Sequence, residues 1–363
     1  MAHPDTTEPV PGRSRAGFLR MRDVAEMAGV SAITVSRALN QPDKVAAATR
    51  ARVEDVVRRI GYVPNGVAGT LASNRSRVVA ALVPTIRQAI FAETLRGLGD
   101  TLRERGYQIM LSETDFSSAN EEDLVEAALS QRPAALVLTG LTHTPRSRAM
   151  LANAGIPVVE TWCLGERPID TIVGFSNRDA SYAMTRTLID AGYRAIAFVG
   201  APTADNDRAR DRVHGYRQAL SDAGLSHDPS LEVEFAYGLA NGAAALSTLL
   251  ARKGALDAVF IASDVLAAGA ILECQRRGIA VPGDLAIAGF DDQEIARQIN
   301  PALTTVRLRL YEIGVQVAKQ ILHRLERPDA PPRASTPASR SSSARAPDAQ
   351  DASGSPASSR TVG

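Results

Sequence analysis

MRDVAEMAGVSAITVSRALN, residues 21–40, decides how the first part of this chain folds. Val24, Ala25 and Ala28 fall on one face of a first helix, and Val35 and Leu39 on one face of a second. Gly29-Val30 breaks the run between them, and Ser31 is set to cap the second helix. A third amphipathic run, from about Thr49 to Ile60, points Val53, Val56, Val57 and Ile60 inward. Three short helices sharing so small a core predict a helix-turn-helix unit over residues 21–64. Its second helix carries Thr34, Ser36 and Arg37 on the outward face, where groove and phosphate contacts are made. The plainer alternative is a generic three-helix bundle with a solvated polar face.

Working outward, Tyr62-Val63-Pro64-Asn65 reads as a turn, and residues 66–73 form a run of small side chains with one bulky apolar residue, Leu71. Such a run has nothing of its own to pack on and makes a poor helix in isolation. Read blandly, it is a flexible linker. Charge is unevenly placed: residues 20–75 hold nine basic and five acidic side chains, a net of +4, whereas the whole chain is formally +1. A basic headpiece on a neutral body suits phosphate attraction, although Arg58 and Arg59 serve equally well as a solvated helix face.

Together these residues resemble the headpiece and hinge of the LacI/GalR family of transcriptional repressors. The resemblance implies a hinge over 65–76 that becomes helical only on operator DNA. Leu71 then enters the minor groove beside its dimer mate and kinks the duplex. Asn65, Ala68 and Leu71 are thus the hinge's candidate DNA contacts. On the recognition helix, Ala32 and Ile33 are placed for apolar contact with thymine methyls, and Arg37 for a base edge or phosphate. Thr34, Ser36 and Asn40 would position the backbone. The partner so implied is a near-palindromic double-stranded operator, held by a homodimer. One departure is that Ala46-Ala47-Ala48 stand where the family's third helix usually opens with a Ser or Thr cap.

With 363 residues and 45% hydrophobic content, the chain has room for two to three domains with sizeable cores. Cys163 and Cys274 fit no metal or redox spacing, which favours a reducing cytoplasm. The first twenty residues, expected as a disordered arm, hold no apolar signal core, and no run approaches membrane-spanning length. From residue 77 strands and helices alternate: strands at 77–84, 107–111, 135–139 and 156–160, with helices between. The alternation restarts after Phe175 with strands at 195–199, 231–235, 258–261 and 285–289. Short apolar strands flanked by helices predict parallel sheets covered on both faces. Two series predict two Rossmann-like lobes, with ligands at the carboxyl ends of the strands. The resemblance implies the same architecture: a small all-α headpiece on an α/β periplasmic-binding-protein-like body of type I, over 77–325. Lobe 1 takes about 77–175 and 306–325, and lobe 2 about 176–305.

An enzyme is the competing class. No G-x-G-x-x-G follows the first strand, and no P-loop, G-x-S-x-G or zinc spacing occurs. The five histidines make no i, i+4 pair, so neither catalytic residues nor metal or other cofactors are expected. A solute-capture protein is disfavoured by the missing signal and the added headpiece.

The family places an effector-gripping arginine where Arg212 stands in RARDRVHGY, and a hydroxyl-accepting acid where Asp291 stands in AGFDD. Asp264, in ASDVLAAGA, is either a helix N-cap or a ligand contact; Arg212 is otherwise a surface ion pair with Asp211. Phe91, Trp162 and Phe175 serve as stacking walls or as core. The strings IFAETLRGL (90–98), LTHTPRS (141–147), VGFSN (173–177) and ECQRRG (273–278) look like the gluconate-utilisation repressors of the family. A sugar acid such as gluconate needs one guanidinium for its carboxylate and several groups for its hydroxyls. Arg212 or Arg87 would serve the first need, and His143, Asn177 and Asp291 the second. After Leu325 the chain turns to Pro, Ala, Ser and Arg and leaves the family pattern, so 326–363 is expected to be disordered and to lack the family's last strand.

Overall fold

The computed structural model describes residues 19–63, 76–252 and 256–327, and the backbone of 334–335. Asn65, Ala68, Leu71, nearly all of the expected hinge, residues 1–18 of the arm and most of the tail lie outside the described residues. The chain separates into one unit up to Ser76 and another from Arg77 onward.

The first unit contains helices α1 (Met21–Ala28), α2 (Ala32–Asn40) and α3 (Ala47–Ile60). Gly29 ends α1 in the left-handed region at φ +62°, and Val30 N–H closes the turn on the Ala25 carbonyl at 3.0 Å. Ser31 Oγ then accepts Thr34 N–H at 3.2 Å and caps α2. Val24, Ala25, Ala28, Val35, Ala38, Val53 and Val56 are buried together, and Tyr62 joins them rather than remaining in a solvated turn. Leu39, Val57 and Ile60 pack at the margin of this core. Helix α3 begins two residues before Thr49, with Ala46 at its N-cap and no side-chain cap.

In the second unit, β1 (Val78–Val83), α4 (Ala89–Arg103), β2 (Gln108–Glu113), α5 (Ser118–Ser130), β3 (Ala135–Thr139), α6 (Pro145–Ala152), β4 (Val158–Thr161) and β5 (Thr171–Val173) build the first lobe. The second lobe runs α7 (Asn177–Asp190), β6 (Ile196–Gly200), α8 (Asp207–Asp222), β7 (Glu232–Glu234), α9 (Leu239–Leu250), β8 (Ala258–Ile261), α10 (Asp264–Arg277), β9 (Ala286–Asp291), α11 (Glu294–Gln298) and β10 (Thr304–Arg307). Helix α12 (Leu310–Glu326) returns to the first lobe, and β11 (Ala334–Ser335) follows.

Both sheets are parallel, in the orders β11-β5-β4-β3-β1-β2 and β10-β9-β8-β6-β7. Central strands such as β1 are buried on both faces, as continuous apolar runs require, whereas edge strand β2 is only half-covered. One apolar cluster runs from Leu98 and Val317 in the first lobe to Met184 and Phe198 in the second. Helices α4 and α12 approach closely at a glycine: a Cβ at Gly97 would lie 2.1 Å from the Tyr311 carbonyl oxygen.

Three boundaries differ from those expected. Strand β10 extends the second sheet to Arg307, so residues 306 and 307 belong to lobe 2. Helix α8 starts at Asp207, five residues before the helix that the sequence pattern places near 212–223, because Asn206 caps it and polar residues fill its first turn. Beyond Glu326 a strand does exist: Ala334–Ser335 pair with Ile172 and Val173 of β5. An open sheet edge offers backbone groups to any extended segment, whatever its composition.

Candidate functional site

On α2 the structure sorts the expected DNA-facing residues by exposure. Ile33 is 65% exposed, a large apolar side chain that the headpiece core does not use. Arg37 and Asn40 are exposed, and Ala32, Thr34 and Ser36 are half-buried. Ser36 Oγ accepts from Asn40 Nδ2 at 3.5 Å, and Ser31 Oγ meets Thr34 Oγ1 at 2.9 Å, so these hydroxyls also hold the helix together.

In the body, six of the seven described non-glycine residues with positive φ (Asp115, Phe116, Trp162, Asp205, Asp291 and Asp292) stand at or just beyond the carboxyl ends of strands. Strained backbone gathered at the ligand-binding ends of two parallel sheets marks the place to look. A small polar cleft opens there between the lobes, lined by Pro84, Thr114, Glu121, Thr139, Asp207 and Arg208 among others. The lobes touch around it. Ser118 gives Asp205 both its N–H and its hydroxyl, at 3.4 and 2.9 Å. Leu141 N–H reaches Asp207 Oδ2 at 2.5 Å, Arg208 Nη1 the Thr139 carbonyl at 3.1 Å, and Arg210 Nη2 the Thr142 hydroxyl at 2.8 Å.

A second polar group lies on the floor of lobe 2. Arg212 donates from Nε to Asn177 Oδ1 and from Nη1 to the Ala262 carbonyl, both at 2.9 Å, and covers the Phe290 ring. It makes no ion pair with Asp211. Asn177 in turn donates to the Trp162 carbonyl at 2.9 Å, which carries the chain of bonds into lobe 1. Burial lowers the Arg212 pKa to about 10 against the pull of Asp291. Burial raises Asp291 to about 8 although Arg212 opposes it, and among the described residues Asp291 Oδ1 has no partner. Ser263 Oγ, just past β8, is likewise buried and has no partner among the described residues. Asp264 is no N-cap, since Ser263 holds that position. Its carboxylate accepts the Thr305 hydroxyl at 2.5 Å and Gln293 N–H at 2.7 Å, and burial outweighs these bonds to raise it to about 7.

The other expected effector residues are not gathered with these. His143 is fully buried between two carboxylates, 2.5 Å from Glu121 and 3.2 Å from Glu160. Burial alone would depress its pKa, but those two hydrogen bonds lift it to about 9. Phe91, Trp162 and Phe175 form a ring cluster, with centroids 4.8 and 6.2 Å apart, inside the apolar core. Arg87 is 78% exposed, with only a 3.9 Å approach to Asp115. Sequence reasoning passed over Asp207, Arg208 and Ser263. Asp207 and Arg208 belong to the helix turn that it left as loop, while Ser263 is an ordinary serine until its partner is sought. Among the described residues no cluster of three His, Cys, Asp or Glu side chains could hold a metal, and no helix is long and apolar enough to cross a membrane.

Residues 20–65 match the family model for bacterial regulatory proteins of the lacI family. Residues 185–343 match a periplasmic binding protein-like domain, a match that runs past Leu325. The HTH-type transcriptional regulator GntR of Escherichia coli (strain K12) is 37% identical over 305 residues, 84% of this chain and 91% of that protein. A solved LacI-family transcriptional regulator from Silicibacter pomeroyi is 37% identical and superposes with a TM-score of 0.81 over 88% of this chain and 96% of that one. Transcription regulator GntR from Chromobacterium violaceum is 35% identical with a TM-score of 0.67, over 71% and 96% of the two chains.

Proposed function

The chain belongs to the lacI family of bacterial regulatory proteins and is a DNA-binding transcriptional regulator, and we propose that it is a repressor released from its operator by a sugar acid, gluconate first. The observation that carries the ligand reading is the pair of buried, unpaired oxygens, Ser263 Oγ and Asp291 Oδ1, at the ends of adjacent strands beside Arg212. Buried polar atoms are almost always hydrogen-bonded, and a polyol lying over these strand ends supplies the missing partners. The strings at 90–98, 141–147, 173–177 and 273–278 support gluconate in particular.

Arg212, Asn177, Asp291 and Ser263 then form the hydroxyl-reading floor. Asp264 braces that floor through Thr305 and Gln293. His143 braces the opposite wall through Glu121, and Phe91, Trp162 and Phe175 pack with one another in the core. Through Asn177 the floor is bonded to the Trp162 carbonyl in lobe 1, so an effector held there alters how the two lobes meet. In a homodimer the two headpieces occupy half-sites in successive major grooves. A change in lobe angle would draw apart the two copies of 65–76, with Leu71 no longer entering the minor groove. Reversing a 99:1 preference for the bound state needs roughly 5.5 kcal/mol of differential effector binding. Two effector sites per dimer would share it.

Gel shifts on an operator fragment test this reading. Added gluconate is expected to release the complex, and glucose at equal concentration to leave it intact. Operator complexes indifferent to gluconate and to related aldonates would overturn it. The single tryptophan, Trp162, gives an independent fluorescence titration.

A further inference from the structure

Arg208 lines the interlobe cleft, Arg212 lies on the lobe 2 floor close enough to feel its charge, and their surroundings differ. Arg212 is committed through Nε, through Nη1 and across its face. Arg208 lines the cavity with a side chain 9% exposed, and its protein partners are reached through Nη1 alone: Thr139 O at 3.1 Å and Asp207 Oδ1 at 3.0 Å. No described residue accepts from its Nε or Nη2.

We propose that Arg208 is the carboxylate anchor of the cleft, holding the acid group of a sugar-acid effector on its Nε–Nη2 edge while the lobe 2 floor reads the hydroxyls. The assignment rests on the sugar-acid reading given above and adds the residue that makes the site prefer an acid to a neutral polyol. The edge of a guanidinium matches the two oxygens of a carboxylate, a fit that no single ammonium reproduces.

Three further observations support it. The acidic residues of the cleft wall already have hydrogen-bond or ion-pair partners within the protein. Asp205 takes the N–H and hydroxyl of Ser118, Asp207 takes Leu141 N–H and Arg208 itself, and Glu121 is paired with His143. The fold also makes room for this guanidinium. Gly140 sits at φ +98°, and a Cβ there would fall 2.2 Å from Arg208 Nη1 and 2.9 Å from Asp207 Oδ1. Finally, the charge of Arg208 contributes to lowering the Arg212 pKa, so the two cations feel each other and an anion placed near both relieves that repulsion.

The test compares gluconate with gluconamide, the same polyol with a neutral end, by calorimetry or Trp162 fluorescence on the full-length protein. Wild type is expected to prefer gluconate at least about tenfold, the scale of a charge-assisted hydrogen bond. Arg208→Gln is expected to bring the two affinities together by weakening gluconate alone, with Arg208→Lys in between. Should Arg208→Gln fold poorly, Arg208→Lys alone decides, because an interlobe strut without ligand contact would lower both affinities equally. Arg212→Gln is expected to weaken both ligands and keep their ratio. A ratio unchanged in the Arg208 variants, or abolished by Arg212→Gln instead, overturns this assignment and leaves the sugar-acid reading standing. Wild-type protein that binds neither compound overturns both.

Discussion

The guanidinium carbon of Arg212 lies 3.9 Å from the centroid of the Phe290 ring, while Nε and Nη1 of the same group donate to Asn177 and Ala262. One side chain thus ties together the ends of β8 and β9, the start of α7 and, through Asn177, the Trp162 carbonyl. A lysine keeps the charge but cannot stack and cannot reach two acceptors in the same plane. Arg212→Lys is therefore expected to cost roughly 2–3 kcal/mol in urea unfolding. It should also weaken effector binding more than tenfold in a Trp162 titration, and wild-type values in both measurements would contradict that role.

Asp291 makes stability depend on pH. Its pKa rises from an ordinary 3.8 to about 8 in the folded protein because its carboxyl is buried. The folded state thus holds a proton that the unfolded state has released, and the stability this gives is full below about pH 4 and lost as pH climbs through about 8. Asp264, raised to about 7, titrates beside it. Asp291→Asn should flatten the curve on the order of 2 kcal/mol between pH 6 and pH 8, with the Asp264 share remaining. Parallel wild-type and variant curves over that window would show that Asp291 is ionised in the fold.

His143 acts in the same direction from the opposite lobe. Its pKa rises from 6.5 to about 9, so its contribution is full below about pH 6.5 and disappears as pH passes 9. At neutral pH the imidazolium separates two buried carboxylates, Glu121 and Glu160, and an uncharged substitute leaves them facing each other. His143→Leu is expected to cost about 3–5 kcal/mol at pH 7 and markedly less at pH 10, read by urea unfolding at the two values. A loss equal at both would assign His143 to packing rather than charge.

Much of this architecture was legible because it rests on local chemistry. The Gly29–Ser31 break, the apolar spacing of Val24 and Val35, and the continuous runs of β1 and β8 each express a backbone period or a cap. Elements defined by their neighbours were not legible. Strand β5 is three residues long, β11 exists only because β5 offers an edge, and α12 needs Gly314 to lie against the Thr94 carbonyl. The site divided in the same way. Arg212 and Asp291 were nominated from the family's motif positions and Asn177 as a partner for hydroxyls, and Arg212 bonds Asn177 and feels Asp291. His143, nominated on the same ground as Asn177, and the aromatic trio, nominated as stacking walls, show the limit of that reasoning, which cannot reveal that Glu160 or a second ring already occupies the partner position. Arg208 and Ser263 have no motif of their own, and only the geometry of the cleft and an unpaired oxygen single them out.

On the recognition helix, Ile33 and Arg37 are both exposed but offer different chemistry. An isoleucine 65% exposed on a small headpiece carries an apolar cost that contact with a thymine methyl would repay. Ile33→Ser should therefore lose roughly 1–3 kcal/mol on the cognate operator while leaving non-specific binding and its salt slope unchanged. Arg37→Ala should do the reverse if it meets phosphate, weakening all duplexes alike and reducing the slope of log affinity against log salt by about one. Binding isotherms on operator and scrambled duplexes across a salt series separate the two patterns. An Arg37 variant that loses only cognate affinity would move this arginine from the phosphate to a base edge, and an Ile33 variant indistinguishable from wild type would remove that side chain from the groove.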